Sequence, residues 1–494
     1  MVDVLTWVLI GLVLVGALPV VVAVYQFSLV GAHRYRNHYD RCADYMPRTA
    51  ILIPAWNEAA VLTASIDQLM LLEYPQDRLR VYVVDDASTD DTPALLTAKA
   101  EQYPGRVVHL RREHGGQGKA HTLNHGLAQL LEDDWMEATL IMDADVVYEP
   151  DSLRKMTRHL ADDHVGAVMA NIKEGSVPGT SINRFVAYEY VHAQGAARRA
   201  QEVLGAIACL AGGAQLHTRA NLLAIGGRFV TTTLAEDTVT TFKTQLGGRQ
   251  VVFEPDAVVW AEEPTTVDAL WKQRLRWARG NLDVTRMFAH VWFRRSPDHN
   301  LGGISFGLLW FTTMMLPALM ITSSSALVVL FFTDFARSVG TFRQLWVTTA
   351  LAWVFITAYS MLLEPSTARR VWREALFFPG VISLSVILAA CFPVLARLAL
   401  AGVEDLVGHE LTAGQARMGM LVAYIWVGAS MATGYLARAV DRRGWHRTGR
   451  GIVYLGGFGP MLCAVTFDSY VQHLRNTAQT WDKTEKTGTV AIRS

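Results

Sequence analysis

Hydrophobic and polar positions divide this chain into stretches with different periods. Residues 4–32 and 303–333 carry no charged side chain, and further apolar runs occupy 345–363, 375–396 and 418–437. Runs of about 20 apolar residues match the hydrocarbon thickness of a bilayer and predict spanning helices. The segment 451–468 (GIVYLGGFGPMLCAVTFD) is interrupted by glycines, a proline and Asp468, which predicts an interfacial or re-entrant helix. Between residues 49 and 145 the pattern shortens. Four strand-like stretches, TAILIPAWNE, RVYVVDDASTDDT, RVVHLRRE and ATLIMDADV, alternate with helical ones such as 59–72 and 92–103. That alternation predicts an α/β domain with a parallel, doubly wound sheet and its function at the carboxyl ends of the strands.

Composition adds the membrane topology. The chain has 494 residues, 51% hydrophobic and 18% charged, with a formal net charge of zero; no nucleic-acid partner is expected. The first apolar run lacks a basic region before it and is too long for a signal peptide, so it reads as an anchor. His33, Arg34, Arg36 and Arg41 follow it. The positive-inside rule then puts the amino terminus outside and residues 33–300 in the cytoplasm. Loops 364–374 and 438–450 are basic and expected to be cytoplasmic, whereas 333–344 and 399–416 are expected outside. The carboxyl tail falls in the cytoplasm if 451–468 does not cross. The cysteines Cys42, Cys209, Cys391 and Cys463 have no CxxC spacing, so neither a disulfide framework nor a zinc site is suggested.

Carboxylates end three of the four strand-like stretches: Glu58, the pair Asp85–Asp86, and Asp143 with Asp145. Two aspartates one residue apart at a strand end can share a hard divalent cation with ligand oxygens. The glycine-rich stretch REHGGQGKAHTLNHG fails the Walker pattern, because Ala120 follows the lysine. It still presents Lys119 on a pliable loop, in reach of a phosphate or uridine group. In LAEDTVTTFKTQLGG, Glu236 and Asp237 stand at the start of a short helix that should end on Gly247–Gly248. An acid on a rigid helix end can act as a base.

These elements follow one another in an order that resembles the processive, membrane-embedded family-2 glycosyltransferases, the cellulose, chitin, hyaluronan and poly-N-acetylglucosamine synthases. IPAWNE, VVDDASTD, GGQGKAHTLNHG, DAD, AED, QRLRW and WDKTEK carry the likeness. It covers about residues 45–300 well and the spans and tail more loosely. The resemblance implies a GT-A type (Rossmann-like) cytoplasmic glycosyltransferase domain joined to an α-helical transmembrane region. Residues 1–32 would be the first transmembrane helix and 45–300 the catalytic domain with an interfacial QxxRW helix. Residues 301–470 would be the transmembrane and interfacial helices, and 471–494 a cytoplasmic tail.

The resemblance also implies roles. Asp86, with Asp85 beside it, would bind the uridine base or ribose, and Glu58 would join the nucleotide site. Lys119 would contact the nucleotide. Asp143 would face the diphosphate and, with Asp145, hold Mg²⁺ or Mn²⁺. Asp237 would be the general base, with Glu236 as its neighbour. The family usually has Thr before that pair, where this chain has Ala235. Cys209 and Gly212 would floor the acceptor platform.

Thr265 and Asp268 resemble a capping box, so a helix should begin near residue 266. Gln273, Arg276 and Trp277 then share one face. Arg276 would pair with the diphosphate, Gln273 would bond nucleotide or sugar, and Trp277 would stack on a sugar ring. Trp271 and Leu275, on the other face, are expected in the bilayer interface. In the tail, Trp481, Thr484 and Lys486 would close over the bound donor. The partners implied are a UDP-sugar, a growing polysaccharide, the lipid bilayer and accessory export proteins.

The activity implied is inverting, processive β-transfer from a UDP-sugar, UDP-N-acetylglucosamine foremost, with export of the polymer across the plasma membrane. Trp310, Trp346, Trp353 and Trp426 suit a sugar path. A UDP-glucose-using glucan synthase and a single-transfer enzyme acting on a polyprenyl phosphate remain open alternatives. A transporter with a cytoplasmic ligand-binding domain is the rival from another class. Its spans should carry ionisable residues, which these almost wholly lack.

Overall fold

The computed structural model describes residues 2–35, 42–475, 477 and 490. The chain forms two compact units: an α/β unit (residues 28–264, 279–307 and 478–494) and a helical unit (residues 1–27, 265–278 and 308–477).

In the α/β unit an eight-stranded sheet has the order β3-β2-β1-β4-β7-β6-β8-β5 among the described residues. Its first half is β1 (Thr49–Ala55), β2 (Leu79–Asp85), β3 (Val107–Arg111) and β4 (Ala138–Ile141). These four strands pair in parallel, as the alternating pattern predicts; Ala55 lies opposite Asp85, and Leu52 opposite Ile141. The helices Leu62–Met70 and Thr92–Gln102 lie within the predicted 59–72 and 92–103.

The rest of the sheet is mixed, which corrects the expectation of a parallel sheet. Here lie β5 (Val146–Tyr148), β6 (Val165–Glu174), β7 (Gln215–Thr218) and β8 (Gln250–Ala261). β7 runs antiparallel to both β4 and β6, and β5 runs antiparallel to β8. The parallel rule depends on a helical crossover between strands. The chain passes from β4 to β5 through the short turn that holds Asp143 and Asp145, so the rule does not apply there.

The helix Lys119–Glu132 packs Ala120, Leu123, Leu127 and Leu130 against Leu52, Val84 and Ile141 of the sheet. Each fully buried leucine contributes roughly 1.5–3 kcal/mol. Gly126 permits a close approach, since a Cβ there would stand 2.5 Å from Leu52 Cδ1 and 2.6 Å from Val84 Cγ2. This packing fixes the helix start, and with it Lys119.

The helical unit contains two helices long and apolar enough to cross a membrane, Ile304–Thr333 and Phe335–Leu363. Four bent pairs pass the same test, giving up to six crossings among the described residues. The first predicted span is one such pair, Val4–Val15 and Leu18–His33, bent by 42°. The segment expected to be interfacial or re-entrant lies in the pair His446–Gly456 and Phe458–Leu474, bent by 100°. Small residues bring these helices together: a Cβ on Gly16 would stand 2.7 Å from Ser323 Oγ, whose hydroxyl donates to the Val13 carbonyl at 2.9 Å. Two of the helix breaks also pack on each other. Gly380 has φ 89° and Gly457 φ 104°. A Cβ on Gly380 would lie 2.4 Å from Gly457 N, and one on Gly457 would lie 2.4 Å from the Pro379 carbonyl oxygen.

The QxxRW helix is Val267–Met287, and two expectations about it change. Thr266, not Thr265, caps it, accepting a hydrogen bond from the Ala269 amide at 3.3 Å. Asp268 is not a capping-box partner; it bonds Arg438 at 2.8 Å and Lys272 at 3.2 Å. Trp271 does not face lipid. It is fully buried, its indole N–H donates to Asp468 at 2.9 Å, and the Arg438 guanidinium lies 4.9 Å from its ring centre. Leu275 is buried with it. Asp468, which made its segment look unfit to span, therefore has a partner within the same unit.

Candidate active site

The carboxyl ends of β1, β2 and β4 deliver the predicted acids to one edge of the sheet. Glu58 follows β1, and its backbone N–H donates to Thr92 Oγ1 at 2.9 Å. Asp85 is fully buried. One of its oxygens accepts from the Ser88 amide at 2.8 Å and the other pairs with Arg111 at 2.9 Å. These contacts make it a support for the loop that follows. Asp86 is bonded by Arg112 and by the Gly116 amide at 2.9 Å. The glycine loop closes on it because Gly115 leaves no room for a side chain: a Cβ would stand 2.0 Å from the Asp86 carbonyl oxygen.

Lys119 is the centre of the arrangement. It follows Gly118, whose φ of 104° suits glycine. Its ammonium pairs with Asp143 and donates to the Gly212 carbonyl at 3.1 Å. Burial opposes its charge, but Asp143, Glu236 and Asp237 more than offset this and raise its pKa above the usual lysine value. Glu236 and Asp237 open the helix Glu236–Leu246, as the sequence predicts. Glu236 is buried; desolvation, then the neighbouring Asp237, push its pKa up to about 7 against the opposing pull of Lys119. Asp237 turns to the predicted platform: a Cβ on Gly212 would lie 3.4 Å from Asp237 Oδ2 and 2.9 Å from Lys119 Nζ. Thus Lys119, Asp143, Glu236, Asp237 and Gly212 come together.

The platform is held by residues that the sequence did not single out. Gln245 accepts from the Ile207 amide at 2.8 Å and donates back to its carbonyl at 2.8 Å. Thr241 accepts from the Leu210 amide at 2.8 Å, and Gln201 from the Ala208 amide at 3.0 Å. Tyr148 donates to the Gly213 carbonyl at 3.1 Å. Burial and the charge of Asp237 push the Cys209 thiol far above its ordinary pKa, so it packs as a neutral group. Ala235 lies against Gly280, where a Cβ would be 2.7 Å away, leaving little space for a larger side chain. A nearby threonine supplies a hydroxyl instead: Thr233 Oγ1 accepts from the Ala235 amide at 3.3 Å.

Gln273, Arg276 and Trp277 belong to the helical unit. Gln273 is buried and Trp277 is exposed, with the Arg274 guanidinium 4.1 Å from its ring centre. Trp481, Thr484 and Lys486 lie outside the described residues. Of the tail, Val490 makes an antiparallel bridge to Ser176 within the α/β unit.

No group of three or more His, Cys, Asp or Glu among the described residues forms a complete metal site. Asp143 and Asp145 fit a cation whose remaining ligands come from a bound phosphate, as is usual for Mg²⁺. The Asp143 carboxylate is 40% exposed, accessible to such a ligand.

This fold and this set of strand-end acids define a glycosyltransferase of the GT-A type. The chain belongs to glycosyltransferase family 2: the family described as "Glycosyltransferase like family 2" matches residues 47–280. It is 30% identical over 297 residues to the probable glycosyltransferase YdaM of Bacillus subtilis, covering 60% of this chain and 69% of that protein. It is 33% identical over 241 residues to a β-monoglucosyldiacylglycerol synthase of Synechocystis, covering 47% of this chain and 48% of that one. It is 26% identical over 246 residues to a poly-β-1,6-N-acetyl-D-glucosamine synthase of Staphylococcus aureus, covering 50% and 57%. The chain thus spans about half the length of the last two. Among solved structures, a Pyrobaculum calidifontis mannosyltransferase in complex with GDP-Man and Mn²⁺ shares the fold. Its TM-score is 0.50 at 23% identity, over 71% of this chain and 97% of that one.

Proposed function

We propose that this protein is an inverting, divalent-metal-dependent glycosyltransferase of the membrane. In this reading it adds sugar from a UDP-sugar, UDP-N-acetylglucosamine foremost, processively to a β-linked polysaccharide and exports the product. The observation that carries the reading is the convergence of Lys119, Asp143, Glu236 and Asp237 beside Gly212. It joins a phosphate-facing end to a base-bearing end. Asp237 takes the proton of the acceptor hydroxyl as that oxygen bonds to the anomeric carbon. The sugar–phosphate bond breaks on the opposite side and the nucleoside diphosphate leaves, so an α-linked donor gives a β-linked product. Lys119 and Asp143 orient the diphosphate, and Asp86 and Glu58 the nucleoside. A cation held by Asp143 and Asp145 would neutralise the leaving group.

On the resemblance, Gln273, Arg276 and Trp277 bind donor and acceptor, and the α/β domain and tail are cytoplasmic in a multi-pass plasma-membrane protein. The bridge of Val490 to Ser176 in the α/β unit supports the tail assignment. A second reading, single transfer to a lipid acceptor, is favoured by the Synechocystis relative, whose product is a glycosyldiacylglycerol.

The test presents purified protein with radiolabelled UDP-sugars, with and without chelator. Nucleotide release that stops in chelator and returns with Mg²⁺ or Mn²⁺ is expected, with long polymer on a gel. Full turnover by Asp145→Ala in chelator removes the metal assignment. A single labelled lipid in place of polymer selects the second reading.

A further inference from the structure

The segment between the helices Val267–Met287 and Ile304–Thr333 holds an aromatic residue in an unusual state. Phe293 has φ 60°, a left-handed conformation that bulky residues adopt with strain, yet it is 50% exposed. Close packing fixes the conformation. A Cβ on Gly307 would stand 2.5 Å from Phe293 Cε1, and one on Gly302 would stand 1.7 Å from the Arg294 carbonyl oxygen. Gly307 lies in the first turn of Ile304–Thr333, so the ring sits at the level where that apolar helix begins. Arg294 and Arg295 follow, both exposed, and exposed Arg286 and Met287 end the preceding helix. Asp298 is the only acidic residue among positions 286–307.

Strained backbone gathers at sites that bind or switch, and water offers an exposed phenyl ring nothing to offset the strain. A bilayer interface does: a ring can enter the acyl boundary while neighbouring guanidiniums bond phosphate oxygens. Trp292, one residue earlier, turns the other way. It is buried, its indole N–H donates to the Thr285 carbonyl at 2.8 Å, and its ring stacks on Phe306 with centres 6.1 Å apart. Both rings meet Phe242, at 5.7 and 6.1 Å between centres. Phe242 lies in the helix Glu236–Leu246, which begins with the Glu236–Asp237 pair. One short segment thus joins the start of the apolar helix to the helix that bears the acids.

We propose that Phe293, Arg294 and Arg295 form a seat for an anionic phospholipid. The ring inserts below the headgroup and the two guanidiniums bond the phosphate. The cluster of Trp292, Phe306 and Phe242 passes this anchoring to the Glu236–Leu246 helix, so that sugar transfer is faster in an anionic bilayer. A zwitterionic headgroup fits less well, because its ammonium meets three arginines. The occupant is a lipid rather than soluble phosphate, since a phenyl ring at the level of an apolar helix needs hydrocarbon. The proposal rests on the reading of Ile304–Thr333 as a membrane span.

The test places the full chain in nanodiscs of phosphatidylcholine, with and without phosphatidylglycerol. Phe293→p-benzoylphenylalanine, irradiated, should give lipid adducts by mass spectrometry, with phosphatidylglycerol in excess of its share of the lipid. That excess should fall about fivefold for each arginine removed by Arg294→Gln or Arg295→Gln. UDP release from UDP-N-acetylglucosamine with Mn²⁺ should rise with phosphatidylglycerol in the native chain. It should stay flat in the double arginine variant and in Phe293→Gly, which keeps the backbone conformation without strain. Glycerophosphate added to phosphatidylcholine discs should not replace the lipid. Adducts in simple proportion to lipid content, a stimulation that survives loss of both arginines, or one reproduced by glycerophosphate overturns the proposal. Ile321→p-benzoylphenylalanine, in the middle of the same helix, separates the two levels. If neither position yields lipid adducts, the membrane reading fails; if only Ile321 does, the seat alone fails.

Discussion

The two units treat partly buried charge in opposite ways. In the helical unit Arg438 is matched by Asp268 at 2.8 Å and Asp468 at 3.5 Å, and each acid has a further donor, Lys272 or the Trp271 indole. That set closes on itself. In the α/β unit one ammonium, Lys119, faces three carboxylates, and one of these is held near neutral pH. The same residue types thus form a fastening in one place and a reactive cluster in the other. The difference lies in whether donors and acceptors balance. Perturbed groups beside an open strand edge mark chemistry, while matched pairs mark architecture.

Four measurements would break or sharpen that contrast. The largest effect should come from Asp237→Asn, which keeps the shape but cannot take a proton. Transfer should fall by on the order of 10²–10⁴-fold, with nucleotide binding retained by calorimetry. If transfer persists at near wild-type rate, Glu236 becomes the candidate base. Next, Arg438→Gln leaves Asp268 and Asp468 without their shared cation. Stability of the helical unit should fall by about 1–3 kcal/mol, read from thermal unfolding in detergent. Combined with Asp268→Asn, the loss should be smaller than the sum, as for residues in one network. Additive losses would show that the set is not closed.

The third measurement concerns Glu236. Its carboxyl titrates near 7 in the folded chain against an ordinary value of 4.5, so the folded state binds the proton more tightly than the unfolded one. Folding is therefore weakened as pH rises from 4.5 through 7. Glu236→Gln removes that dependence. Its melting midpoint should exceed that of the native chain at pH 8, by about 2–4 °C per kcal/mol, and match it near pH 4.5. The reverse order would contradict the burial assigned to this acid. The smallest effect belongs to Asp67→Asn, which breaks a 2.6 Å pair with Lys99 whose carboxylate is 45% exposed. Solvent screens such pairs, and the change should stay below about 1 kcal/mol.

Much of the α/β unit was legible because its signals are local. A strand of buried aliphatics ending in an acid puts that acid on the sheet edge, which made Asp86 and Asp143 legible, while Glu236–Asp237 was legible as the start of a short helix ending on Gly247–Gly248. Lys119 was legible as a loop lysine, but not as the partner of Asp143, because that contact joins separate elements. Gln201 and Gln245 are polar residues on helices, a pattern that ordinarily means a solvated face. Their partners at Ala208 and Ile207 come from tertiary packing alone. Trp271 failed for the same reason. An amphipathic pattern says which face is apolar, but not that Tyr435, Arg438 and Asp468 will cover it. Thr265 and Thr266 are adjacent and chemically identical, so local sequence could not choose between them as the cap.

The contact of Gly380 with Gly457 constrains the descent of this chain as well as its shape. A side chain at Gly380 would need the space of the Gly457 nitrogen, one at Gly457 would need that of the Pro379 carbonyl beside Gly380, and each glycine has a backbone conformation that other residues adopt with strain. Neither site can therefore drift independently. Among its descendants the two should behave as one inherited character, kept together or replaced together with a rebuilt pair of bends.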